Sequence, residues 1–380
     1  MVSPPVGSAA GAWPDRYLPF SWDEELISEI DFSSCGEFGE CHIFRLALAD
    51  LEPGVEKLLI ACQHESETSG PNSEYDIQLA TVAVQLQRQN FTIATLFEPS
   101  APGRAAVGLL TYLTSYDGIS PQERSLIDEF RERGWFVAAV EPHALLRIGK
   151  HSFIGIEGAG GSGKGLGIAA PLAHELDKRL ADSAYFAEGV RDYLSSTRPG
   201  LQQGADVVIG ASAGGIALPT VIARIGKPDA AVIIGGGANL AAISMGFHHQ
   251  RPFLSKYVVD TSRRANAENA VMVSTTATGE HVFYKSVGLD RRERGLLAQH
   301  VLPLSRLDPY HTAESLHGVP TLMLQASLDR IVAASSGKLL YEALGRPERW
   351  SYPLGHIGLF AVLPAQADRI ADWVEAKVGK

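Results

Sequence analysis

Short runs of consecutive apolar residues recur along the chain, separated by stretches whose apolar positions return every three or four residues. The runs at 91–97, 105–113, 135–140, 207–211, 230–234 and 321–326 are too short and too uniformly apolar for amphipathic helices. They predict strands buried on both faces. Further strands are expected at 81–87 and near 349–352. Ser120-Pro-Gln-Glu123 opens a helix with a cap serine, a proline at the first position and an acid in the first turn, and Gly134 closes it. Helical spacing also marks 181–196, 216–225, 335–344 and 364–378. Strand, helix and strand in alternation imply right-handed crossovers and an α/β architecture, a mostly parallel central sheet flanked by helices.

Two segments break the alternation. Residues 1–78 hold a Pro- and Gly-containing lead, a short helical candidate at 22–30 and strand-like pieces at 41–48 and 57–62. They read as an N-terminal extension supplying extra strands or a flap. Residues 241–305 contain no clear buried strand and mix aromatic, His-rich and charged pieces, an interruption that suits an inserted cap better than a loop. The expected division is an extension at 1–78, a core at 79–240 and 306–380, and a cap or lid at 241–305.

Composition narrows the partners. Of 380 residues, 45% are hydrophobic and 20% charged, as in ordinary soluble globular proteins. A net charge of −10 without Lys/Arg clusters argues against nucleic acid. The apolar stretch at 230–247 is broken by Gly235-Gly-Gly237 and Asn239, so it predicts a strand and a loop rather than a membrane span. The sequence opens without a basic region followed by an apolar one, which predicts a cytoplasmic protein, with secretion under a removed signal as the alternative. The three cysteines read as free thiols. A Cys35 to Cys41 pair across the intervening turn is the alternative in an oxidising compartment.

The apolar run at 207–211 ends in Gly210-Ala-Ser-Ala-Gly214 and passes into the helical pattern at 216–225. Strand, sharp turn and helix around a Gly-x-Ser-x-Gly pentapeptide form the context of a nucleophile elbow, in which Ser212 projects from a strained turn. A serine hydroxyl needs a base within hydrogen-bond reach and an acid that fixes the base's tautomer. Downstream, Asp329 follows the strand at 321–326 directly, and His356 follows the last strand on a glycine-flanked loop. Asp308 is a rival acid, and His311 and His317 are rival histidines that do not follow the last strand.

Gly210-Ala-Ser-Ala-Gly214, Leu328-Asp-Arg-Ile-Val332 and Gly355-His-Ile-Gly358 together resemble the three landmarks of the α/β-hydrolase superfamily, over about residues 80–378 outside the insertion. The resemblance implies an α/β-hydrolase fold with Ser212 as nucleophile, His356 as base and Asp329 as its orienting acid. It also implies an oxyanion hole made by the N–H of Ala213 and a second donor from the loop after 105–113. Many members have His-Gly in that loop. Here it reads Leu113-Thr-Ser-Tyr-Asp117, with Ser115 or Tyr116 as the second donor and the Tyr116 hydroxyl as a further contributor. Pro219 is a second departure, expected to kink the helix or restrict it to an early turn. Met245, Phe247, Phe253 and Tyr257 in the cap are candidates either for lining a substrate pocket or for the cap's own core.

The implied activity is hydrolysis of a small-molecule carboxylic ester through an acyl-enzyme. Peptidase, thioesterase or acyltransferase action on the same machinery, and ligand binding without turnover, are the alternatives. No cofactor or metal is expected. Gly158-Ala-Gly-Gly-Ser-Gly-Lys-Gly165 lacks the final Ser or Thr of a P-loop, and no strand leads directly into it. Ser335-Ser-Gly-Lys338 lacks the companion motifs of β-lactamase-like enzymes, and His248-His249 lacks further ligands.

Overall fold

The computed structural model describes residues 51–62, 90–101, 106–115, 118–142, 167–244 and 288–379, with strand backbone at 21–27, 30–31, 41–46, 76–77, 154–156, 258–264, 272–275 and 281–286. Ten strands form the central sheet. In chain order they are β1 (Ser21–Ile27), β2 (Cys41–Leu46), β3 (Val55–Cys62), β4 (Asn90–Phe97), β5 (Gly108–Leu113), β6 (Phe136–Val140), β7 (Ala205–Ala211), β8 (Ala230–Ile234), β9 (Thr321–Ala326) and β10 (Glu348–Tyr352). Their spatial order is β1-β2-β3-β4-β6-β5-β7-β8-β9-β10. The six strands from β6 to β10 run parallel, while β2, β3, β4 and β6 pair antiparallel in succession.

The uniformly apolar runs of the sequence follow from covering both faces of this sheet. Leu109, Phe136, Val208, Ile233 and Met323 point to one core. Leu110, Val137, Val207, Val232 and Leu322 point to the other. The first core is covered by α2 (Ala169–Thr197), α3 (Ala213–Ile225), α4 (Arg291–Val301) and α5 (Ala334–Ala343). The second is covered by α1 (Pro121–Glu132), α6 (His356–Ala361) and α7 (Ala367–Val378).

Several expectations change. Residues 21–27 are a strand, not a helix. Pairing with β2 overrides local helix preference, and a register shift between Asp23 and Leu26 leaves Glu24 and Glu25 out of the ladder. The helix expected at 181–196 begins at Ala169, and Pro171 is tolerated because it lies in the first turn, where no N–H is needed. Helix α3 continues through Pro219 to Ile225 rather than ending early. Within 241–305, strands Val258–Arg264, Met272–Thr275 and His281–Ser286 form a small sheet whose fourth strand, Ile154–Ile156, comes from the glycine-rich stretch before α2. Its ends are followed by α4, which the sequence pattern did not announce. Cys41 sits opposite Cys62 in the β2/β3 register, whereas Cys35 lies outside the described residues. The expected strand at 81–87 lies outside them too. Among the described residues, no helix is long and apolar enough to cross a membrane.

Candidate active site

Strand β7 lies between β5 and β8, and its carboxyl end delivers Ser212 to the sheet edge, where ligands of open α/β sheets bind. Ser212 has φ 49° and ψ −107°, a backbone conformation that L side chains rarely adopt. The Ser212 N–H donates to the Ile234 carbonyl of β8 at 2.8 Å, which anchors the turn. Two glycines make the turn sterically feasible. A Cβ on Gly210 would come within 2.5 Å of the Gly214 carbonyl, and one on Gly214 within 2.2 Å of the Leu113 carbonyl.

The Ser212 Oγ lies 2.8 Å from His356 Nε2, and His356 Nδ1 lies 2.6 Å from Asp329 Oδ2. An ionised carboxylate only accepts, so Nδ1 carries the proton and Nε2 is left to accept from the serine hydroxyl. Both partners are shielded from water, each with 8% exposure. Asp329 stands three residues beyond the end of β9, and its Oδ1 accepts the N–H groups of Ile331 at 2.8 Å and Val332 at 3.0 Å. That turn aims the other oxygen at the imidazole. His356 begins α6, and its ring stacks obliquely on Phe360 one turn later, with centroids 5.2 Å apart.

Asp308 spends its carboxylate outside this cluster. Buried at 2% exposure, it accepts the N–H groups of Asn239 (2.9 Å), Leu240 (2.7 Å) and Tyr310 (3.0 Å). Burial pushes its carboxyl above the usual range, opposed by those three N–H groups. Its hydrogen bonds tie the start of the insertion to the point where the chain returns. His311 and His317 bond the carbonyls of Leu302 and Ala343 instead of approaching Ser212.

Ala213 is the first residue of α3, so its N–H has no carbonyl four residues earlier within the helix. On the other side of the turn, Thr114 touches the elbow directly, its carbonyl accepting the Gly214 N–H at 3.2 Å. Ser115 is directed elsewhere: its N–H and hydroxyl donate to Glu123 at 2.7 Å and 2.9 Å, so this N–H is already occupied. Tyr116, Met245, Phe247, Phe253 and Tyr257 lie outside the described residues. Glu123 was legible only as a helix cap, and nothing in the sequence signalled its reach into this loop. Glu141, just past β6, was not signalled either. It accepts the Gly118 N–H at the far end of the loop, and burial is the main force pushing its carboxyl up to about 7.

Leu328, Ile331 and Ile357, which flank the acid and the histidine in sequence, are 63%, 39% and 75% exposed. A cavity of about 210 Å³ opens behind Asp329, lined by Gln325, Ser327, Lys338 and Arg349 among others, but neither Ser212 nor His356 contributes to it. Among the described residues, no group of three or more His, Cys, Asp or Glu is placed to hold a metal ion.

Compared by sequence, the chain matches no protein-family profile and no curated protein. Compared by structure, it is similar to an acetyl xylan esterase from Paenibacillus sp. R4, at 16% identity over 91% of this chain and 90% of that one, with a TM-score of 0.52. An acetyl xylan esterase from Thermoanaerobacterium sp. aligns at 13% identity over 88% and 87% of the two chains, with a TM-score of 0.46. Est1E from Butyrivibrio proteoclasticus aligns at 12% identity over 77% of this chain and 96% of its own, with a TM-score of 0.44. The first of these likenesses, together with the strand order, establishes the α/β-hydrolase fold.

Proposed function

We propose that this chain, which has the α/β-hydrolase fold, is a serine hydrolase of carboxylic esters. The unbroken run of hydrogen bonds from Ser212 Oγ through the His356 ring to Asp329 carries the reading. The serine oxygen attacks the ester carbonyl while His356 Nε2 takes its proton. The alcohol leaves with that proton, and water then cleaves the acyl-enzyme by the same steps in reverse order. Asp329 holds the ring in the required tautomer and stabilises the imidazolium that forms. The Ala213 N–H and a second donor from the loop after Leu113, for which Tyr116 is now the nominee, hold the oxyanion. The substrate is a small-molecule ester. The fold it shares with an acetyl xylan esterase is compatible with this chemistry but does not choose the ester.

Replacing Ser212 by Ala tests the reading. Turnover of a p-nitrophenyl acyl ester should fall by about 10⁴-fold or more, with the circular dichroism spectrum unchanged. Retained turnover in S212A overturns it.

A further inference from the structure

Two helices in this fold begin with the same capping box, and the contrast between them singles out one carboxylate. In α4, Glu293 accepts the N–H of its cap residue Asp290 at 2.8 Å, which is all a capping box asks of it. In α1, Glu123 accepts the Ser120 N–H at 3.0 Å in the same way. It is also fully buried, and it takes four further hydrogen bonds. These come from the Ser115 N–H (2.7 Å), the Ser115 hydroxyl (2.9 Å), the Ser120 hydroxyl (2.6 Å) and the Tyr112 hydroxyl (3.4 Å). Burial, with Glu123 adding to it, pushes the Tyr112 phenol up, so this group remains a donor.

Burying a carboxylate is costly unless its oxygens are satisfied. A cap at the surface would avoid that cost, as Glu293 shows. Three of the four additional contacts go to one end of β5 and the loop that follows it, and that loop meets the elbow where Thr114 accepts the Gly214 N–H.

Building on the serine-hydrolase reading, we propose that Glu123 is a positioning residue for the oxyanion side of the site. Its carboxylate fixes Ser115, and with it the stretch of loop that meets the turn carrying Ser212 at Thr114. Glu123 does not touch substrate. It determines where the second oxyanion donor stands when charge develops, so its loss should be felt in the transition state more than in ground-state binding.

Steady-state kinetics with p-nitrophenyl acetate on the wild type, E123A, E123Q and E293A, with thermal melts of each, test this. In E123A kcat should fall about 30- to 100-fold, the scale of a misplaced catalytic donor, with KM within about twofold. E123Q retains an amide oxygen for the Ser115 N–H but turns a donor toward the other groups that face the carboxylate, so it should recover only in part, to a kcat about three- to tenfold below the wild type. E293A removes the equivalent cap of α4, so its Tm should fall while kcat stays unchanged. If E123A does not fold, E123Q decides alone: a reduced kcat at constant KM supports the role. An E123Q or folded E123A with wild-type kcat, a loss expressed only in KM, or an equal loss in E293A overturns it. A wild type that neither turns over the ester nor reacts at Ser212 overturns the serine-hydrolase reading and this one with it. An active wild type with unaffected Glu123 variants overturns this one alone.

Discussion

Two buried aspartates show how the same side chain is given different work by what faces its oxygens. Asp329 offers one oxygen to two N–H groups of its own turn and the other to His356. Asp308 spends both oxygens on three backbone N–H groups. An amide at position 329 would present a donor to the imidazole or to the turn, so D329N should lower kcat by about 10³- to 10⁴-fold. An amide at position 308 would leave one buried N–H facing another donor, costing about 1–3 kcal/mol of stability. For D308N, kcat per folded molecule should stay within about threefold. Urea denaturation and steady-state kinetics on the pair separate the two roles, and a D308N enzyme as inactive as D329N would contradict the assignment. Position relative to strand ends was enough to favour Asp329 over Asp308 in the sequence. Ser115 could not be judged that way, because the direction of a backbone N–H within a loop is set by a carboxylate eight residues on in sequence.

The loop between β5 and α1 meets the elbow at Thr114, and carboxylates grip it at both ends. Glu123 holds Ser115, and Glu141 receives the Gly118 N–H. Burial raises the Glu141 carboxyl to about 7, while Lys57 and the Gly118 N–H pull it down and Glu123 adds to the rise. Its folded value lies above the unfolded value of about 4.3, so the folded chain binds the extra proton between those limits. The stability this group contributes is therefore complete below about pH 4.3, declines as the pH rises and is lost above about pH 7, by up to about 4 kcal/mol. Melts of the wild type and E141Q at pH 5 and pH 8 should show the wild type falling behind E141Q as the pH rises. A gap independent of pH would contradict it. Elements buried on both faces, such as β7 and β9, were legible because an apolar run this short, bounded by turn residues, suits a strand covered on both faces better than a helix. Residues 21–27 were not, since their strand state comes from pairing with β2 and not from their own pattern.

At the scale of the whole molecule, strands from the first 62 residues widen the sheet on the antiparallel side, away from Ser212. The long insertion leaves and rejoins the core at a point fastened by two buried carboxylates. Asp308 holds Asn239 and Leu240, while Asp177 of α2 accepts from Ser305, Arg306 (2.7 Å) and Leu307 (3.0 Å). The break in alternation marked residues 241–305 in the sequence as a segment apart. Its partnership with Ile154–Ile156 could not be read there, because that pairing joins segments about a hundred residues apart. Across all these scales the fold delivers one serine, on one strained turn, to one histidine. The most direct measurement is intact-mass and peptide mapping after brief exposure to a fluorophosphonate. The account predicts a single adduct on the peptide carrying Ser212, absent in S212A and slowed in D329N. No adduct on the wild type, or an adduct that persists in S212A, would contradict it.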